Sequence, residues 1–131
     1  MPSIFTRILQ GEIPDYRVAE DADNFAFLDI NPNSRGHTLC VPKKEVDKIT
    51  DLDPEAYESL MRFSRRVALA VDKAVDCKRV GMTVIGLEVP HVHVHLIPLN
   101  SMVDATFGKK VKLSQEEFQQ TAAAIREALA D

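Results

Sequence analysis

The sequence predicts an α+β fold: a five-stranded antiparallel sheet with one long helix, a short N-terminal helix and a C-terminal helix. Three observations predict it. Runs rich in β-branched and aromatic residues cluster as three and then two. Apolar spacing of helical period is confined to three segments between and around them. Strands grouped apart from few helices are the pattern of an α+β sheet, whereas strict alternation would indicate parallel βαβ units.

The elements follow in chain order. Ile4, Phe5, Ile8 and Leu9 form a short apolar stripe at helical spacing, and "GEIP" breaks it, so one or two helical turns are expected. "YRVAED" reads as a first strand and "NFAFLDI", Asn24 to Ile30, as a second. "NPNSRG" is a dense turn signal, and "HTLCVP" from His37 reads as a third strand ended by Pro42. Asp53-Pro54 starts a helix with Asp as N-cap and Pro in the first helical position. Leu60, Phe63, Val67, Ala70, Val71 and Ala74 then share one face, with Arg62, Arg65, Arg66 and Lys73 largely off it. "RVGMTVIGLEV" suits a buried fourth strand, and "HVHVHLIP" a fifth. Ser114 and Glu117 match a capping box ahead of a helix whose stripe is Phe118, Ala122, Ile125 and Leu129.

Composition sets outer bounds. The chain has 131 residues, 45% hydrophobic and 27% charged, and shows no repeat or linker, so residues 1–131 read as a single domain. A net charge of −4 argues against a general nucleic-acid binder, and any anionic ligand must be held by local groups. The two cysteines, Cys40 and Cys77, form no C-x-x-C pair or disulfide framework. The opening "MPSIFTRILQGEIPD" has no continuous apolar core. The expectation is therefore a cytoplasmic protein without membrane contact.

Three of the four histidines fall within "HVHVH". On a strand, His91, His93 and His95 share one face while Val92, Val94 and Leu96 share the other. Three uses compete. Two of the rings could chelate a metal with recruits such as Cys40, Cys77, Asp29 or Glu88. All three could not share one ion, because His91 and His95 stand roughly 13 Å apart along an ideal strand. The rings could be packing residues. They could also act on an anion, binding phosphate oxygens and supplying a nucleophile, for which the central His93 is placed best.

"HVHVHLI" also resembles the His-x-His-x-His-x-x motif of the histidine-triad (HIT) superfamily, in which each x is hydrophobic. "FLDINPNSRGHTLCVPKKEV", "SIFTRILQGEIP" and "DLDPEAYESLMRF" resemble further segments of those proteins, so the likeness spans at least Ser3 to Leu99. It implies a homodimeric nucleotide hydrolase or transferase that works through a covalent nucleotidyl-histidine, without a cofactor or catalytic metal, on a purine nucleotide. By position, His93 matches the nucleophile, His91 and His95 its neighbours, and His37 an upstream member of the same network. Asp29 matches the carboxylate that takes the ribose hydroxyls. Ile30, Phe27, Ile4, Phe5 and Ile8 match the purine slot, and Gly86, Glu88 and Val89 lie at positions near the phosphate. Leu87 and Glu88 replace a polar pair found in many members, and an ionised Glu88 cannot donate to a leaving group. Ser3 and Thr6 stand where some members carry Cys-x-x-Cys of a structural zinc site. Two other readings stay open beside the hydrolase: a metal-binding hydrolase using the strand histidines, and a nucleotide-binding module with little turnover.

Overall fold

The computed structural model describes residues 2–130. Helix α1 is Ile4–Leu9, and strands β1 (Arg17–Glu20), β2 (Asn24–Leu28) and β3 (Thr38–Pro42) follow. Helix α2 runs Pro54–Ala74, strands β4 and β5 are Arg79–Thr83 and Val94–Leu99, and helix α3 is Gln115–Ala130. Two 3₁₀ turns, Ile49–Asp51 and Met102–Ala105, were not foreshadowed by the sequence pattern. The five strands form one sheet in the order β1-β2-β3-β5-β4, and every neighbouring pair is antiparallel.

The caps act as expected. Asp53 accepts a hydrogen bond from the Ala56 N–H, with Pro54 in the first turn. Ser114 and Glu117 exchange the two bonds of a capping box. The buried face of α2 is Leu60, Phe63, Ser64, Val67, Ala70 and Val71. It packs with Phe118, Ala122 and Ile125 of α3 against Ala26, Leu28, Cys40, Val94 and Leu96 of the sheet. Alternate residues of the same strands, Phe25, Phe27, Leu39 and Val41, point the other way and meet Phe5 and Ile8 of α1. The sheet centre is thus covered on both faces, which is why β2 and β3 are buried at every position.

Two strand expectations are corrected. The run "RVGMTVIGLEV" is not one buried strand: β4 ends at Thr83 and lies at the sheet edge, half-exposed. The next six residues form a loop in which Gly86 takes φ +76°. Likewise, β5 begins only at Val94, so His91 and His93 precede it. Alternation still holds there, because Val92 and Val94 enter the core between sheet and helices.

Candidate active site

The histidines do not form a row on an open sheet surface. His91, His93 and His95 have relative exposures of 0%, 7% and 8%, and His37 has 1%. The cover is α1: the Phe5 ring meets His93 edge-on at 4.9 Å and His91 at 5.7 Å between centroids. Phe107 meets His95 at 4.9 Å and His37 at 6.0 Å. This cover is remote in sequence, since α1 begins directly after the cap at Ser3, 88 residues before His91.

Hydrogen-bond polarity fixes the tautomer of every ring. A carbonyl can only accept and a backbone N–H can only donate. His93 Nδ1 lies 2.8 Å from the His91 carbonyl, so it carries the proton and leaves Nε2 as a lone pair. His91 Nε2 lies 2.7 Å from the Pro42 carbonyl, so its Nδ1 accepts from the Ser3 hydroxyl at 2.6 Å. His37 Nδ1 accepts from the Asn33 N–H at 3.0 Å, so its Nε2–H donates to His95 Nδ1 at 2.9 Å. His95 is left with Nε2 as its N–H. Two facing functions result: a lone pair on His93 and a donor on His95, their rings 4.9 Å apart.

Electrostatics act in the same direction. Burial lowers the pKa of all four rings, His37 to about 3 and His95 to about 4. The rings are therefore neutral at pH 7, as a lone-pair nucleophile requires. Burial raises the Asp29 carboxyl, opposed by its bond from the Asn31 N–H and by the charge of Lys110. Asp29 sits just past β2, and its own N–H bonds to the His37 carbonyl at 2.9 Å, so the β2–β3 hairpin holds the two side by side. Gly36 makes the turn into His37 at φ +97°, where a side chain is disfavoured.

These groups face a cleft of about 800 Å³. Its walls include Ile4, Phe5, Ile8, Phe27, Asp29, Ile30, Gly86, Glu88, Val89, His93 and His95, which are all the sequence-predicted ligand positions together with two of the histidines. His91 and His37 are not in the wall; they stand behind it, bonded to the His93 and His95 rings or backbone. Ile30 is 72% exposed and so is cleft rim, not core. The sequence pattern did not single out Ile13, Leu39, Phe107 or Lys110 in the wall, nor Asn33 behind it. Phe107 and Lys110 lie in a segment without periodicity, and Asn33 read only as a turn residue.

Asp29, His37 and His95 could offer one ligand atom each within 4.8 Å of one another. The bond polarities work against an ion there. His37 Nε2 carries a proton because Asn33 donates to the other nitrogen, and a metal would require that nitrogen as a lone pair. The zinc-site positions Ser3 and Thr6 instead share the Glu45 carboxylate, with Thr6 Oγ1 donating to it at 2.6 Å.

Comparison with known proteins agrees with this architecture. The family model described as HIT domain matches residues 10–102. An uncharacterized HIT-like protein of Mycobacterium tuberculosis is 34% identical over 99% of this chain and 94% of its own length. An adenosine 5'-monophosphoramidase of Schizosaccharomyces pombe is 34% identical over 75% of this chain and 74% of its own. A crystal structure of a Hit-like protein involved in cell-cycle regulation from Bartonella henselae superposes with TM-score 0.83 at 31% identity, covering 96% of this chain and 95% of that one. A five-stranded antiparallel sheet flanked by helices, with a triad of alternate histidines at its centre, defines the class, and the chain belongs to the HIT family. Among the described residues, no helix is long and apolar enough to cross a membrane.

Proposed function

We propose that this chain is a nucleoside phosphoramidase that releases AMP or a related purine nucleotide through a covalent intermediate on His93. One observation carries the reading: His93 keeps Nε2 as a lone pair in the cleft because its Nδ1–H is committed to the His91 carbonyl. The family membership and the monophosphoramidase name of the yeast relative support the reaction class.

In the first step His93 Nε2 attacks the α-phosphorus. A P–N bond to the histidine forms, and the P–N bond to the substrate amine breaks as the amine takes a proton from water. In the second step the hydroxide left by that water adds to the phosphorus and the histidyl P–N bond breaks, releasing the nucleotide and returning the lone pair to His93 Nε2. His95 donates Nε2–H to a phosphoryl oxygen, and His37 sustains that donor by filling His95 Nδ1. His91 orients His93 through its carbonyl. Asp29 accepts from the ribose hydroxyls. Ile4, Phe5, Ile8, Phe27 and Ile30 hold the purine, and Gly86, Glu88 and Val89 border the phosphate. The protein works as a homodimer of single HIT domains, and the half-exposed edge strand β4 offers a pairing surface.

A binding module with little turnover is the second reading, and one observation favours it. Leu87 is 90% exposed and apolar at the position where many members hold a polar group. The deciding experiment supplies adenosine 5'-phosphoramidate and measures AMP release by wild type and His93→Ala. Wild type should turn over, with a nucleotidyl adduct trapped on the peptide containing His93. The variant should lose at least several powers of ten in rate. Retention of about a tenth of the rate by the variant would remove His93 as the nucleophile. Absence of AMP release, with AMP still bound, would establish the module.

A further inference from the structure

The cleft has a charge imbalance that the histidines do not resolve. Among the described residues, its wall holds the carboxylates Asp15, Asp29 and Glu88, and a single side chain with permanent positive charge, Lys110. The His93 and His95 rings present one lone pair and one neutral N–H donor to it. A phosphoryl group under attack spreads negative charge over its non-bridging oxygens, and neutral donors offset that charge less well than a cation does.

Lys110 is held in place by the histidine network itself. Asn33, 1% exposed, accepts from the Lys110 ammonium through Oδ1 at 2.7 Å. Its Nδ2 donates to the Asp104 carbonyl at 2.9 Å, and its backbone N–H donates to His37. Phe107, a non-glycine residue at φ +65°, turns the chain so that its ring lies against His95. The Lys110 ammonium lies 5.0 Å from the centroid of the same ring. The Val111 N–H then bonds to the Pro32 carbonyl at 3.0 Å and closes the segment onto the Asn33 loop. An ammonium has three donors. One is spent on Asn33, and the others remain for an anion. Its field reaches the site: the charge on Lys110 lowers the pKa of Asp29, His37 and His95.

We propose that Lys110 is a further catalytic residue, the cation that binds the non-bridging phosphoryl oxygens of a nucleotide in this cleft beside His95. The proposal rests on the nucleotide reading above. It assigns phosphate charge to Lys110, shape to the apolar slot and nucleophilicity to His93.

Calorimetric binding of AMP and of adenosine separates these parts. The quantity read is the ratio of their dissociation constants in wild type, Lys110→Gln and Lys110→Arg. A hydrogen bond to a charged group corresponds to roughly ten- to hundredfold in affinity. Lys110→Gln should lower the preference for AMP by that factor while leaving adenosine unchanged, and Lys110→Arg should retain most of it. Added salt should erode the preference in wild type and not in Lys110→Gln. An unchanged AMP-to-adenosine ratio in Lys110→Gln overturns the assignment. Equal loss for both ligands also overturns it, since Lys110 would then act only as a brace for Asn33. Wild-type protein that binds neither ligand refutes the nucleotide reading and this proposal together, whereas binding of both with a ratio insensitive to Lys110 refutes this proposal alone.

Discussion

The neutral histidine network should make the fold acid-sensitive well above the usual carboxylate range, and His37 allows the size to be worked out. Its folded pKa is about 3 against an ordinary 6.5, chiefly because burial disfavours the charged ring. A folded pKa below the unfolded one means that the unfolded chain binds more protons in that window. Stability is then fully present above about 6.5 and is lost as pH falls towards 3. At pH 5 the unfolded ring is charged and the folded ring is not, which is about 1.5 pH units of linkage and roughly 2 kcal/mol. His95, His91 and His93 act in the same direction, as burial lowers each of them. Asp29 opposes them, because burial raises its pKa and the folded state takes up its proton first. The assay is urea unfolding at pH 7.5 and pH 5.0 on wild type and His37→Gln, whose amide keeps an N–H donor for His95. Wild type should lose about 2 kcal/mol or more between the two conditions, and the variant about 2 kcal/mol less than wild type. Identical pH dependence in the two proteins would show that His37 has the same pKa folded and unfolded, and the argument that burial holds its ring neutral at pH 5 would fail.

Two further outcomes follow from named contacts. Ser3→Ala removes the donor to buried His91 Nδ1 and the cap on the Thr6 N–H; the expected loss is about 1–3 kcal/mol of stability by chemical denaturation, and a wild-type value would show the bond to be dispensable. Asp29→Asn should weaken ribonucleotide binding by about 1–3 kcal/mol while sparing the 2'-deoxy analogue, which lacks one of the two hydroxyls; equal losses for both ligands would make Asp29 a structural residue beside His37.

Much of the fold was legible in the order of residues because local physics dictates it. Asp53-Pro54, the face from Leu60 to Val71 and the Ser114–Glu117 box specify two helices by capping and period alone. Alternation in "HVHVH" specified that the valines enter the core and the histidines turn away, even though β5 begins only at Val94. The family likeness added which positions to expect around a bound nucleotide, and all nine line one cleft, which is the geometry the proposed function uses.

What alternation could not determine is what lies above the histidines. That depends on α1 folding back over the sheet and on the segment carrying Phe107 and Lys110, both far away in sequence. Their approach converts a solvated row into four buried rings, and burial is what holds imidazole neutral. The tautomers were likewise settled only in three dimensions. Which nitrogen of His93, His91 or His37 carries a proton is decided by the carbonyls of His91 and Pro42 and by the Asn33 N–H, backbone groups whose identity no side-chain pattern encodes. The sequence therefore singled out the candidate residues for the proposed chemistry, because side-chain type and strand period are local. Their protonation and the charge set against them came from the tertiary structure, because desolvation and hydrogen-bond direction are properties of neighbours brought together by folding.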